Sequence, residues 1–177
     1  AAGMDKFAGD KRPHVVFVLA EAEYDSKRTL PEFAEKYLKK GCRCTFLHAK
    51  SGQGEGRNDI PGLEALYDAD LLVLSMRRRT LPVVQMDQLE RYIRSGKPIV
   101  AIRVSIVPFQ VKSCPPGHVV WDRFDREVIG CNYQGYDGRS RKTGCDVRVL
   151  PEAAGHPIVK GLAAKQFHSP SWFYRQR

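Results

Sequence analysis

The strongest constraint on the fold is a run of apolar residues, "HVVFVLA", at residues 14–20. It is continuous and rich in β-branched side chains, which is the pattern of a strand buried on both faces. Two further segments share this character, "DADLLVLS" at 68–75 and "PIVAI" at 98–102. With a fourth predicted strand, "CRCTFLH" at 42–48, they indicate a parallel sheet that is covered on both sides.

Helical patterns separate these strands. Thr29 and Glu32 have the spacing of a capping box, and Gly41 supplies an end for the first helix. A second helix is predicted from about Pro82 to Gly96. The predicted apolar stripes are Leu30, Phe33, Tyr37 and Leu38 in the first helix and Val83, Met86, Leu89 and Ile93 in the second.

Strands that alternate with helices at this spacing predict right-handed crossovers and an α/β fold. We expect a flavodoxin-like three-layer sandwich with a mainly parallel central sheet. With 177 residues the chain suits one compact domain, at 13–177, preceded by a flexible segment at 1–12. Beyond about residue 105 the pattern weakens, with a short helix at 121–129 and a strand at 146–150.

The composition limits the classes of molecule that this protein is expected to bind. The net charge of +9 suggests phosphate, carboxylate or nucleic acid, but the basic residues are spread along the chain without a zinc finger, an RNA-recognition signature or a basic helix. Nucleic acid is therefore a minor alternative. No apolar run approaches the roughly 18 residues that span a bilayer, so we expect no membrane among the partners.

The five cysteines are an odd number without a C-x-x-C pair, which favours buried free thiols and a reducing compartment such as the cytoplasm. One disulfide among the later three cysteines stays open. A processed amino terminus would fit a secreted or periplasmic protein, so the localisation stays open as well.

Ligands of open parallel sheets bind outside the carboxyl ends of the strands, because the loops diverge there and helix amino termini point inward. Guanidinium groups at these ends would suit anionic or polyhydroxyl ligands. A charge at the end of a central strand needs a partner, so we expect Arg103 to pair with Glu21 or Glu23; a purely structural ion pair is the alternative. The residues that follow the predicted strands, and so lie where a ligand is expected, are Glu21, Glu23, Tyr24, Arg77, Arg78, Arg79, Arg103 and Ser105.

The alternative to ligand binding by Arg77, Arg78 and Arg79 is that they form a run of charged side chains exposed to solvent. The segment "GCNYQGYDG" offers Asn132 and Tyr133 to a sugar, or is an ordinary turn. His156 precedes a proline, which holds it in an extended conformation. No spacing matches a metal motif, so we expect no metal and no cofactor. The stretch "AKSGQGEGRND" at 49–59 matches no phosphate-binding motif and is predicted to be a flexible loop.

A family likeness is carried by five segments, "HVVFVLAEAEY", "DADLLVLSMRRRTLP", "GKPIVAIR", "WDRFDREVIGCNYQGYDG" and "GHPIVKGL". Together they resemble the ThuA-like trehalose-utilisation family of the class I glutamine amidotransferase-like superfamily, over residues 14–174. The resemblance implies a flavodoxin-like fold and places Arg103 where the amidotransferase cysteine stands. A guanidinium is no nucleophile, so we expect no glutamine hydrolysis; Ser105 lacks a placed base. The resemblance also implies strands beyond "SPSWFYR", so we expect the carboxyl-terminal strands to be missing.

Two functions follow from these patterns. The first is a ThuA-like protein of carbohydrate utilisation that binds or transforms a sugar or sugar derivative. The second is a non-catalytic amidotransferase-like scaffold that binds a small anionic ligand or a partner protein. Whether any catalysis occurs, and whether the protein is a homo-oligomer, stay open. The candidate residues are Glu23, Tyr24, Arg103 and Ser105 for catalysis and Arg77, Arg78, Arg103, Asn132, Tyr133 and His156 for binding.

Overall fold

The computed structural model describes residues 9–162 and 164–176. Most of the predicted flexible segment, at 1–12, therefore lies outside the described residues. The chain forms two compact units, Ala1–Gly130 and Cys131–Arg177, which we call the first and the second unit. That the two belong to one domain over residues 13–177 stays a prediction.

The first unit is an α/β structure around a four-stranded, all-parallel sheet, which confirms the predicted α/β class. In chain order its elements are β1 (His14–Ala20), α1 (Ser26–Tyr37), β2 (Arg43–His48), β3 (Leu71–Met76), β4 (Leu81–Pro82), α2 (Val83–Arg94), β5 (Ile99–Ala101) and β6 (His118–Val119), with the sheet ordered β2-β1-β3-β5.

The core lies on both faces of the sheet because successive strand residues point to opposite sides. Every residue of β1 is buried, as its apolar run predicts. On one face, Val16 and Val18 pack with Met86 of α2. On the other face, Phe17 and its neighbours pack with Ala34 of α1.

The capping-box prediction for α1 is wrong. The helix begins at Ser26, so Thr29 lies inside it and its hydroxyl donates to the carbonyl of Asp25 at 3.1 Å. The helix ends at Tyr37, before the predicted stop at Gly41. Leu30 and Leu38 pack against the core as predicted, but two other members of the stripe do not.

Phe33 and Tyr37 are the exceptions, with 47% and 61% of their surface exposed. Their rings contact one another, with centroids 5.1 Å apart. The buried positions on this helix are Ser26 and Ala34, and the small side chain of Ala34 allows a close approach to the sheet.

The boundaries of the later strands also differ from the prediction. β3 begins at Leu71, and the side chain of Asp70, directly before it, accepts the backbone N–H of His14 at 2.8 Å. β5 has three residues and is an edge strand of the described sheet. Arg103 therefore follows an edge strand, and our expectation of a central one is wrong.

α2 begins at Val83 rather than at Pro82, which belongs to β4. β4 pairs antiparallel with β6 in a separate two-stranded sheet. Met86 and Leu89 are buried as predicted, whereas Val83 is 46% exposed. The predicted short helix near residues 121–129 is a π-helical turn, Asp125–Ile129.

The second unit contains two antiparallel pairs and little helix. In chain order its elements are β7 (Tyr133–Tyr136), α3 (Ser140–Thr143), β8 (Cys145–Arg148), β9 (Gln166–Ser169) and β10 (Tyr174–Gln176), with β7 paired to β10 and β8 to β9. The predicted strand at 146–150 corresponds to β8.

Across the described residues, no helix has both the length and the apolarity needed to cross a bilayer. In the same part of the chain, no disulfide joins any of the five cysteines.

Candidate functional site

The turn that follows β5 is a strained elbow. The Ser105 N–H donates to the Ile102 carbonyl at 3.0 Å, which closes a β-turn with Arg103 and Val104 at its centre. Val104 has a φ of 79°, the value of the third position in a type II turn and an outlier for a β-branched residue. Val104 is fully buried. The strained residue of this elbow is therefore apolar, and the arginine stands one position before it.

Ser105 has a structural position. Its side chain is fully buried, and its hydroxyl donates to the Leu74 carbonyl at 2.8 Å. The same oxygen accepts the Met76 N–H at 2.9 Å. The hydroxyl thus ties the elbow to β3. Its proton is already used, which argues against a nucleophilic role for Ser105.

The loop after β1 is organised by a buried carboxylate, that of Glu21. One oxygen accepts the N–H groups of Glu23 and Tyr24 at 2.5 and 2.9 Å. The other accepts the N–H and the hydroxyl of Ser26 at 3.1 and 2.5 Å. Burial would raise the pKa of the Glu21 carboxyl, but these hydrogen bonds hold it below the usual value. Glu21 is therefore an anion that positions Glu23 and Tyr24.

Four of the predicted side chains form two contacts that are joined by the adjacency of Glu23 and Tyr24, and we call Glu23, Tyr24, Arg77 and Arg103 the crevice cluster. Glu23 forms an ion pair with Nη1 of Arg77, so one of the two carboxylates expected for Arg103 pairs with a different arginine. The Arg103 guanidinium lies over the Tyr24 ring, 5.6 Å from its centroid. Glu23 and Tyr24 are each 44% exposed. The cluster therefore combines an aromatic ring, two cations and a carboxylate within reach of solvent.

The three consecutive arginines occupy three different environments. Arg77 belongs to the crevice cluster, and Arg78 is exposed on a backbone with a φ of 50°. Arg79 is only 4% exposed, so the solvated charge run is wrong for this residue. Burial, and then the nearby Arg57 guanidinium, lower the pKa of Arg79 to about 10, while Glu21 acts in the opposite direction. Arg79 remains a buried cation at neutral pH.

The other predicted binding residues belong to the second unit. Tyr133 lies in β7 and packs edge-on against Tyr174, with ring centroids 5.2 Å apart. The ring Nδ1 of His156 accepts the N–H of Ile158 at 3.2 Å and so caps a 3-10 turn. Asn132 directly precedes β7. The contribution of Asn132, Tyr133 and His156 to the crevice stays a prediction.

A residue that the sequence interpretation missed is Arg57, in the glycine-rich loop after β2. Its Nη2 donates to the Arg78 carbonyl at 3.1 Å, and the neighbouring Asn58 accepts the Thr80 N–H at 3.2 Å. The loop, expected to be flexible, is thus hydrogen-bonded to the loop after β3. Its position after a parallel strand was the signal that could have identified it.

No protein-family model, no curated protein and no solved structure matches this chain. Within the described ranges, 9–162 and 164–176, no group of three His, Cys, Asp or Glu side chains is placed to hold a metal ion. Function is therefore argued from the geometry of the crevice cluster and its surroundings.

Proposed function

We propose that this protein binds a sugar or an anionic sugar derivative at the crevice cluster, and that it does so without a cysteine nucleophile. The single observation that carries the proposal is the juxtaposition of Glu23, Tyr24, Arg77 and Arg103. Guanidinium groups donate paired hydrogen bonds to carboxylate or hydroxyl oxygens, a carboxylate accepts from hydroxyls, and an exposed ring offers an apolar face. This is the ligand class that the resemblance to ThuA-like proteins implies.

The position of the cluster supports the same proposal. We propose a flavodoxin-like three-layer arrangement for the fold, supported by the strand order β2-β1-β3-β5 and by α1 and α2 packing against opposite faces of the sheet. In that arrangement the chain reverses its direction of winding between β1 and β3, and ligands bind outside the strand ends at this switch point. Glu23 and Tyr24 follow β1, and Arg77 follows β3.

The elbow favours binding over covalent chemistry, because its strained residue is Val104 and the Ser105 hydroxyl is bonded to β3. One observation favours the alternative that the protein is an enzyme. Glu23 and Tyr24 are adjacent and accessible, and a carboxylate and a phenol are both groups that can act as general acids or bases. The other alternative is a scaffold that binds an anionic ligand without turnover, and this function requires only the arginines of the cluster.

We expect Arg103→Ala to weaken sugar binding by about tenfold or more, since a charge-assisted hydrogen bond contributes roughly 1.5–3 kcal/mol. The measurement is calorimetric titration with glucose, trehalose, gluconate and glucuronate, after a thermal-shift screen with the same compounds. Arg94→Ala is the matched control. It removes the same charge from an exposed position in the last turn of α2, outside the crevice cluster.

Glu23→Gln separates the alternatives. If the bound sugar is turned over by the wild type and not by Glu23→Gln, while its affinity is kept, the enzymatic alternative is correct. Equal affinity of the wild type, Arg103→Ala and Glu23→Gln for every probe would show that the crevice cluster is not the binding site.

A further inference from the structure

A pocket opens among the loops that follow the parallel strands, and it belongs entirely to the first unit. Its volume is about 570 Å³, which lies in the usual range for small-molecule sites. Loops that follow β2, β3 and β5 contribute to it. Its polar lining includes Arg57, Asn58, Arg78, Thr80, Gln110 and Lys112.

The charge of this lining has one sign. Arg57, Arg78 and Lys112 are cations, and no described residue of the lining carries a carboxylate. The buried guanidinium of Arg79 is close enough to Arg57 to be repelled by it. Like charges that are held together repel one another, so a bound anion would lower the electrostatic energy of the group. This composition differs from that of the crevice cluster, in which Glu23 neutralises one arginine.

Two buried groups of the pocket lack hydrogen-bond partners among the described residues. Thr80 is 2% exposed, and its Oγ1 makes no hydrogen bond there. The Nε of Arg57 is in the same condition, although Nη2 of that side chain is bonded. An unsatisfied buried polar group costs free energy, and each such group in a native structure requires an explanation. Acceptor oxygens of a ligand would satisfy these groups if their side chains turned toward the pocket.

The lining is also held in place before any ligand binds. The Arg78 N–H donates to the Val107 carbonyl at 3.2 Å, and the Arg79 N–H donates to the Pro108 carbonyl at 2.7 Å. These bonds, with the one from Arg57 to the Arg78 carbonyl, keep Arg78 at its positive φ of 50°. A side chain in this backbone region carries strain, which is commonly found at binding sites.

We infer that this pocket binds the phosphate group of a phosphorylated small molecule. Arg57 and Arg78 offer planar guanidinium groups to phosphate oxygens, Lys112 adds a point charge and the Thr80 hydroxyl adds a neutral donor. Three cations match a dianion better than the single charge of a carboxylate. The pocket is larger than a phosphate, so it has room for the rest of such a ligand. This site uses no residue of the crevice cluster and does not depend on the proposed sugar site.

The test is calorimetric titration of the whole chain with inorganic phosphate at constant ionic strength, with sulfate and chloride as comparison anions. We expect Arg78→Ala to weaken phosphate binding by about tenfold or more, and Lys112→Ala and Thr80→Val to weaken it by smaller factors. The Thr80→Val variant keeps the shape of the side chain and removes only the hydroxyl. Arg94→Ala, with the same loss of charge, is expected to bind phosphate like the wild type.

Several outcomes would overturn this inference. One is the absence of phosphate binding by the wild type at millimolar concentration, and another is an equal loss of affinity in Arg94→Ala and Arg78→Ala, which would indicate a response to net charge alone. If Arg103→Ala lost phosphate binding while Arg78→Ala kept it, the anion would belong to the crevice cluster, and the sugar proposal would stand without this one. If Arg78→Ala fails to fold, the phosphate affinities of Lys112→Ala and Thr80→Val test the inference in its place.

Discussion

Glu21→Gln is expected to destabilise the protein by about 2–4 kcal/mol, because the amide replaces one acceptor oxygen with a donor that faces other donors. Both carboxylate oxygens accept at least one backbone N–H, from Glu23 and Tyr24 on one side and Ser26 on the other. Whichever way the amide turns, a buried N–H loses its acceptor. Urea denaturation of the two proteins measures the difference.

The matched control is Glu90→Gln, on an exposed turn of α2, where only an i,i+4 pair with Arg94 is lost. We expect a change below about 0.5 kcal/mol there. Because Glu21 also fixes the loop that carries Glu23 and Tyr24, Glu21→Gln is expected to weaken sugar binding as well. Unchanged stability in Glu21→Gln would show that this carboxylate does not organise the loop.

The pH dependence of stability provides a separate prediction. The pKa of the Glu21 carboxyl is lowered in the folded state, so the unfolded chain binds its proton first as the pH falls. The stability that Glu21 contributes is therefore fully present above the unfolded pKa of about 4.5 and is lost as the pH falls through the folded pKa. Melting temperatures of the wild type and of Glu21→Gln should converge as the pH falls below about 4.5. A difference that stays constant over this range would contradict the assignment.

The sheet was predictable because continuous β-branched runs have few other ways to bury their side chains. The start of α1 was not predictable, because the group bonded to its first turn lies five residues upstream, outside the spacing of a capping box. Glu21, at the end of β1, accepts both the N–H and the hydroxyl of Ser26 at the first turn of the helix. The local spacing of Thr29 and Glu32 matches a capping box equally well, so the contact of Ser26 with Glu21 decides where the helix begins.

The candidate site was partly predictable for a similar reason. A rule of position at strand ends found the four members of the crevice cluster, and the same rule would have found Arg57 had it been applied to the loop after β2. The separate fates of Arg77, Arg78 and Arg79 could not be predicted. Identical side chains carry no pattern, and only the positive φ at Arg78 and the hydrogen bonds to residues 107 and 108 direct them to different places.

Arg79→Met is expected to stabilise the protein by about 1–2 kcal/mol, because it replaces a buried cation with an apolar side chain of similar length. Arg79 is 4% exposed, its Nε has no hydrogen-bond partner among the described residues, and Arg57 and Arg77 repel it. Thermal and urea unfolding measure the gain. Arg79→Ala separates charge from volume, since it removes the cation but leaves a cavity and should therefore be less stable than Arg79→Met.

The stability difference between Arg79→Met and the wild type should depend on pH, because the pKa of Arg79 is lowered to about 10 in the folded state. Below that pH both states hold the proton and the cost of burying the charge is complete; above it the folded state releases the proton and the cost declines. The advantage of Arg79→Met should therefore shrink as the pH rises above about 10. A loss of stability in Arg79→Met at neutral pH would mean that the buried guanidinium contributes more through its packing and its attraction to Glu21 than it costs in desolvation. In that case Arg79 would be a structural cation that holds the loop after β3 against Glu21.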